Sequence, residues 1–157
     1  MQPKTIQYRG GIATFQIPSH WKEEYDPKGG ATFYEDKPNS GTFRLSVLSF
    51  ESRSGERAEQ MASRAFPAGT FETLPSGLRL QRETKATKEG SETLAIYWWR
   101  VAVPVPPSSL RLANFSYTIL AGQESEPAIA SELTFVDKSV RVAEFRREPA
   151  VAGDYRP

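Results

Sequence analysis

The sequence predicts an α+β fold, an α/β/α sandwich in which helices cover a central antiparallel sheet of roughly six to seven strands. The segment from Leu94 to Val103 has a single charge, Arg100, and as a strand it is apolar on both faces. A strand of that kind needs cover on both sides. Short alternating segments between Gly and Pro turns indicate antiparallel hairpins. Two segments with apolar residues at helical spacing would supply the covering helices.

Four short strands are predicted in the first third of the chain, separated by turns rich in Gly and Pro. Glycine supplies positive φ and proline a fixed φ, so these residues favour turns. Residues 19–25 are instead expected to form a single helical turn with Ser19 as its cap. The four strands are Ile6 to Tyr8, Ile12 to Ile17, Ala31 to Glu35 and Thr42 to Phe50.

Two helices are predicted, the first from about Gly55 to Phe66 and the second from about Pro127 to Val140. In the first, Ser54 is the expected cap and Pro67 ends the helix. Its length of about three turns requires tertiary packing. The end of the second could turn into a short strand from Val140 to Phe145. The apolar stripes are Ala58, Met61, Ala62, Ala65 and Phe66 in the first helix, and Ile129, Leu133, Val136 and Val140 in the second.

Three longer strands lie between the helices. The first, Leu78 to Thr87, becomes polar along its length and leads through a turn at 88–91 into the central strand. Pro104, Pro106 and Pro107 are expected to stop the central strand, because proline cannot donate to a ladder. Leu110 to Leu120 alternates most clearly and is predicted to be a half-buried antiparallel strand beside the central one.

The totals indicate one domain, residues 1–147, followed by a surface tail at 148–157. Twenty basic and nineteen acidic residues leave a net charge of +1, which argues against a nucleic-acid or membrane-surface binder. Cysteine is absent, so disulfides and thiolate metal sites are impossible. Because Met1 to Gly10 lacks an apolar run and no apolar segment reaches about 20 residues, we expect a cytoplasmic protein without a membrane span.

No catalytic, metal or phosphate motif occurs in the sequence, so we expect neither an enzyme nor a cofactor. His20 is the only histidine, and an acid/base pair with Glu23 or Glu24 is conceivable. The more ordinary interpretation is a turn residue beside solvated carboxylates. Glu23, Glu24 and Asp26 lack the spacing of a calcium loop, so no metal is implied.

The chain resembles the PsbP-like superfamily in three segments and in element order. That group takes in the extrinsic photosystem II subunit, a nuclear-transport factor that binds the Ran GTPase, and the bacterial DcrB-like proteins, some of which are chaperones for secretion effectors. The resemblance implies an α/β/α sandwich and no shared catalytic residue. The segments are Phe15 to Trp21 (Phe-Gln-Ile-Pro-Ser-His-Trp), Ala31 to Glu35 (Ala-Thr-Phe-Tyr-Glu) and Gly41 to Val47 (Gly-Thr-Phe-Arg-Leu-Ser-Val), with the helices at Gly55 to Phe66 and around Glu132-Leu133 in the same order.

The favoured hypothesis is a non-enzymatic protein-binding, accessory or chaperone-like domain of bacterial type. Its candidate partner-binding residues are Trp21 and Tyr25 in one loop and Trp98 and Arg100 on the central strand, since Trp and Arg are common interface anchors. The alternative is a small-molecule pocket or hydrolase between sheet and helix that uses His20. A third possibility is a homodimer formed through edge strands or the tail.

Overall fold

The computed structural model describes residues 2–148, and within them it contains ten strands and two α-helices. Short 3-10 turns occur at Arg9–Gly11 and Gln123–Ser125. In chain order the elements are β1 (Pro3–Tyr8), β2 (Ala13–Pro18), β3 (Lys22–Tyr25), β4 (Ala31–Tyr34), β5 (Thr42–Glu51), α1 (Ala58–Ser63), β6 (Glu72–Thr73), β7 (Arg79–Glu89), β8 (Glu92–Val105), β9 (Ser109–Leu120), α2 (Pro127–Arg141) and β10 (Glu144–Phe145).

The large sheet has seven antiparallel strands in the order β3-β4-β5-β9-β8-β7-β6, and β1, β2 and β10 form a separate three-stranded sheet. Two meanders, β3-β4-β5 and β6-β7-β8-β9, meet where β5 pairs with β9. The connection that joins them contains α1. The predicted α+β fold class and the strand count of the main sheet are confirmed.

One face of the large sheet, the core face, is covered by the small sheet and by α2. Phe15 of β2 meets the rings of Phe33, Phe43 and Phe115 edge-on, at centroid distances of 5.7, 6.0 and 5.4 Å. Edge-to-face pairs of this kind add to the stability that burial provides. The apolar stripe predicted for α2 is buried against the same cluster through Ile129, Val136 and Val140, and Leu133 packs beside it.

The opposite face, which we call the outer face, is covered by α1 at one end. Met61 and Phe66 pack there against Ala102 and Leu110. The helix is shorter than predicted, because the chain leaves helical geometry at Arg64 ahead of Pro67. The cap is Arg57, whose backbone N–H bonds the Gln60 side chain, so the prediction of Ser54 as cap is wrong. Helical cover therefore ends well before the other end of the outer face.

Two further predictions differ from the structure, the helical turn at 19–25 and the stop of the central strand at Pro104. Residues 22–25 form strand β3 rather than a helical turn, because they pair with β4. Strand β8 continues through Pro104 to Val105, and the turn follows at the Pro106-Pro107 cis bond. The cap signal at Ser19 and the proline rule at Pro104 were local signals, and long-range strand pairing overrode both of them.

The chain after α2 is tied to the domain as far as Glu148. The backbone N–H of Arg146 donates to the carbonyl of Ile12, and the Arg111 guanidinium donates to the carbonyls of Arg146 and Glu148. Strand β10 pairs with β2, so a short strand does follow the second helix, but it covers only residues 144 and 145 of the proposed Val140 to Phe145 because the helix continues to Arg141. Of the tail predicted at 148–157, residues 149–157 lie outside the described residues.

Candidate functional site

The middle of the outer face carries a row of side chains that no helix covers. Because side chains alternate along a strand, the neighbours of the core residues Trp99 and Phe115 point outward. One row across the sheet consists of Arg44, Ser116, Trp98 and Glu83, and the next consists of Ser46, Asn114, Arg100 and Gln81. In the first row the small Ser116 of β9 therefore lies between the larger Arg44 of β5 and Trp98 of β8.

This arrangement leaves a recess of about 310 Å³ above β9. The turn at residues 26–30 closes one side of it. We call the recess the outer trough, and its main lining side chains are Thr32, Arg44, Ser46, Trp98, Asn114 and Ser116.

Trp98 forms one wall of the outer trough and is only half-buried. The Arg100 guanidinium lies 4.9 Å from the indole ring, within cation–π range, and its Nη1 donates to a carboxylate oxygen of Glu83 at 2.8 Å. The hydrogen bond from Arg100, with a further one from Lys85, holds the pKa of Glu83 below its ordinary value. Trp98 and Arg100 are thus held in one arrangement before any ligand arrives, which lowers the entropy cost of binding.

Arg44 forms the opposite wall, and its side chain has no hydrogen bond or ion pair with any residue in the 2–148 range. Within the same range the Asn114 amide makes only a long 3.5 Å bond, to the Leu112 carbonyl. The outer trough therefore combines a preformed aromatic wall with hydrogen-bond donors that are free to act on a partner.

A second recess, the α1 groove, lies between α1 and the end of β5 and has a volume of about 650 Å³. Its apolar lining is Phe50, Met61, Ala65, Leu110 and Leu112. Phe50 and Leu48, which precede it on β5, are 46% and 50% exposed. The Arg64 side chain at the rim is paired with Glu56. The outer face thus changes from polar at the trough to apolar near α1.

The predicted partner-binding residues are split between the core and the surface. Trp98 and Arg100 lie together on the outer face. Trp21 is 2% exposed and packs against Phe43 at a centroid distance of 6.5 Å, so it belongs to the core and is not available to a partner. Tyr25 is exposed at the far edge of the sheet, where its hydroxyl donates to Glu23 at 2.6 Å. Burial and the neighbouring Glu23 raise the pKa of Tyr25.

His20 does not pair with either carboxylate proposed for it. Its Nε2 lies 3.6 Å from Glu35, while Glu23 binds Lys4 and Glu24 accepts a hydrogen bond from the Tyr34 hydroxyl. The histidine side chain is half-exposed. The acid/base pair with Glu23 or Glu24 is therefore not formed.

Sequence reasoning missed the β5 and β9 contributions to the site. The signal lay in the segment from Thr42 to Phe50, where Arg44, Ser46, Leu48 and Phe50 share one face of the strand. Polar and apolar side chains on the same face, opposite a mainly apolar one, indicate a surface that is partly uncovered.

The described residues offer no candidate for a metal site or for a membrane-spanning helix. Within residues 2–148 no three His, Asp or Glu side chains are grouped as a metal site would require. Neither helix in that range has the length and apolar character needed to cross a lipid bilayer.

No protein-family model matches the chain, and no curated protein is significantly similar to it in sequence. Solved structures do share its fold. LpqN, described as involved in cell envelope biogenesis of Mycobacterium tuberculosis, is 9% identical with a TM-score of 0.60 over 87% of this chain and 88% of its own. A protein from Bacteroides thetaiotaomicron is 18% identical with a TM-score of 0.59 over 93% of this chain. The E65A mutant of Mog1 is 15% identical with a TM-score of 0.53, over 92% of this chain and 96% of its own.

The chain spans about half the length of the Bacteroides protein, since the match covers 49% of that structure. Identities this low establish a likeness of fold alone. The neighbours therefore support a relation at the level of fold only.

Proposed function

We propose that this protein is a non-enzymatic binding domain that engages a protein partner through the outer trough. The observation that carries the proposal is the half-buried Trp98, held by Arg100 and faced across the trough by the unpaired Arg44. Trp and Arg are the residues most often found as anchors of protein interfaces. Folding of the large sheet does not require a Trp or an Arg side chain on a face that no helix covers.

The shape of the site supports a protein partner. A recess floored by Ser116 and Asn114, with a polar rim and an aromatic wall, suits the insertion of one or two partner side chains. The names of the fold neighbours, one of them tied to cell envelope biogenesis, are consistent with an accessory role. The cytoplasmic location expected from the sequence is part of the proposal.

Site-specific photo-crosslinking in the native cells tests it. A benzophenone amino acid would replace Ser46 or Thr32, which both line the trough, and Glu144 on the small sheet as the matched control. We expect both trough positions, but not Glu144, to capture the same partner. Trp98→Ala should reduce that capture about tenfold or more, as the loss of an anchor does. Capture that ignores Trp98, or no trough-specific adduct, would contradict the proposal.

A second candidate function is small-molecule binding in the α1 groove. Its volume of about 650 Å³ and apolar lining fall within the usual range for ligand sites. Because Ala65 lines the groove, Ala65→Phe should fill it and abolish binding of a fluorescent apolar probe such as anilinonaphthalene sulfonate. Ser63→Phe, on the exposed side of α1, is the control and should leave probe binding intact. Equal binding by both variants would remove this candidate.

A further inference from the structure

Strand β5 has an open edge. Its partner β4 pairs only with Thr42 to Leu45, whereas β5 continues to Glu51. On its other side β5 pairs with β9 along the whole length. The segment Ser46 to Glu51 therefore has one strand neighbour in the described part of the chain, and we call its free side the β5 edge.

The backbone groups on the β5 edge can be identified from the ladder. The N–H of Ser52 donates to the carbonyl of Ser108, the residue directly opposite in the β5–β9 register. Hydrogen-bonded and non-hydrogen-bonded pairs alternate in an antiparallel ladder. The backbone N–H and C=O groups of the even-numbered residues of β5 therefore point toward β9. Val47, Ser49 and Glu51 consequently direct three N–H and three C=O groups outward. No hydrogen bond from residues 2–148 reaches those groups.

The side chains along this edge define what could pair with it. Leu48 and Phe50 place exposed apolar surface at alternate positions, next to the α1 groove. Arg44 precedes the edge and Arg53 follows it, and neither has an ion pair within residues 2–148. An occupant thus needs an extended backbone, apolar side chains at every second position, and acidic ends.

We propose that an extended segment of a partner protein, apolar at alternate positions and flanked by acidic residues, adds to the large sheet as a strand beside β5. This is β-augmentation, in which main-chain bonds supply affinity and alternate side chains supply specificity. Six residues span about 20 Å. The inference rests on the proposed function, because Ser46 belongs to both the outer trough and the β5 edge.

A second copy of this chain fits the edge less well. Two copies paired antiparallel, with their outer faces on the same side, would bring Arg44 of one close to Arg53 of the other at both ends. Like charges in neighbouring positions are destabilising, whereas acidic peptide ends would be attracted. A further open edge, along β7 beyond Leu80, carries charged side chains from Arg82 to Glu89 that discourage strand addition.

The test uses a fluorescein-labelled nonapeptide of sequence Asp-Thr-Val-Thr-Leu-Thr-Val-Thr-Asp and anisotropy titration of the full chain. Ser49→Pro removes the central outward N–H, and the ladder to β9 keeps its bonds because that group faces away from β9. Ser49→Ala retains the N–H and is the matched control. We expect wild type and Ser49→Ala to bind the peptide equally, and Ser49→Pro to bind about tenfold more weakly or worse.

Peptide variants make the test independent of how Ser49→Pro folds. Methylation of alternate backbone amides, or replacement of both terminal aspartates by lysine, should weaken binding to the wild type about tenfold. No binding of the parent peptide, or binding insensitive to Ser49→Pro and to amide methylation, would overturn the inference. A dimer seen by light scattering that Ser49→Pro dissociates would assign the edge to a second copy and overturn the chosen occupant.

The two proposals fail separately. If the crosslinked partner depends on Trp98 but not on Ser49→Pro, the trough function stands and the strand addition is wrong. If the peptide pairs with the β5 edge while trough positions capture nothing, the strand addition stands and the trough function is wrong.

Discussion

Trp98 and Trp99 are adjacent on β8, yet they occupy opposite environments. Trp99 is fully buried, its indole N–H donates to Asp137 of α2 at 2.9 Å, and the Arg82 guanidinium lies 5.2 Å from its ring. Trp98 is half-buried on the outer face, with Arg100 as its main contact. A tryptophan thus anchors the core on one face of the sheet, and a second tryptophan forms a wall of the outer trough on the other face.

The difference comes from what covers each face. Helix α2 and the small sheet together enclose the core face around Trp99, Phe115 and Tyr117. Six-residue α1 reaches only the Ala102 end of the outer face. An aromatic residue retained on the uncovered part is therefore available for recognition, while its neighbour serves folding.

The largest effect is expected for Trp99→Ala. Removal of a fully buried indole should lower the free energy of unfolding by about 4 kcal/mol, because it loses apolar burial and leaves a cavity. Urea titration of this variant beside Trp98→Ala measures the contrast directly. Similar losses for the two variants would contradict the division between the faces.

A steric probe of the core face comes next. A Cβ on Gly41 would overlap the ring and hydroxyl of Tyr117, which donates to the buried Glu132 at 2.6 Å. Gly41→Ala should cost about 2 kcal/mol, since the core cannot make room without displacing that bond. Ser40→Ala is the neighbouring control and should change stability by less than about 0.5 kcal/mol. If Gly41→Ala left the free energy of unfolding unchanged, Tyr117 would be shown to be loosely held.

The link between Trp99 and α2 should depend on pH. Burial alone would raise the pKa of Asp137, but hydrogen bonds from Trp99 and Arg141 outweigh it and lower the pKa below the ordinary 3.8. Stabilisation by this carboxylate is therefore complete above about pH 4 and is lost as the pH falls through the lowered pKa. Asp137→Asn should cost about 1.5 kcal/mol at pH 7, and the difference from wild type should shrink towards pH 3.

Urea titrations of both proteins from pH 3 to pH 7 measure that difference. Ser131→Ala, on the exposed side of α2, changes no charge and is a control that should show no such convergence. If the difference in the free energy of unfolding between wild type and Asp137→Asn stayed constant with pH, the charge of Asp137 would not stabilise the packing of α2.

The smallest effect on stability is expected for Trp98→Ala. Its half-buried ring and the Arg100 contact should be worth about 1 kcal/mol, because cation–π pairs at exposed sites contribute little. The same urea titration gives the value, and Arg100→Ala should give a comparable one. A loss as large as that of Trp99→Ala would make Trp98 a structural residue and weaken the proposed function.

Much of this architecture could be predicted from alternation alone. The segment Leu110 to Leu120 shows which side chains share a face, and the structure buries Phe115 and Tyr117 on one side as that pattern requires. The apolar stripe of α2 could also be predicted, because apolar residues at steps of four and three along a helix lie on a single face. Strand identity and the α+β class follow from such local periodicity.

The candidate site was only partly visible. Arg100 and Trp98 were found because an aromatic and a charged residue stand out in an apolar run, whereas Trp21 was misassigned because a pattern of residue types does not report burial. Arg44 and Ser46 were missed because the pairing of β5 with β9 joins segments about seventy residues apart.

The sequence by itself determined which residues share a strand face, since the two-residue period of a strand is a property of the local backbone. Only the tertiary structure decided which of the two faces would be covered. That choice depends on where α1, α2 and the small sheet dock, and docking is a competition among long-range contacts that no local pattern records.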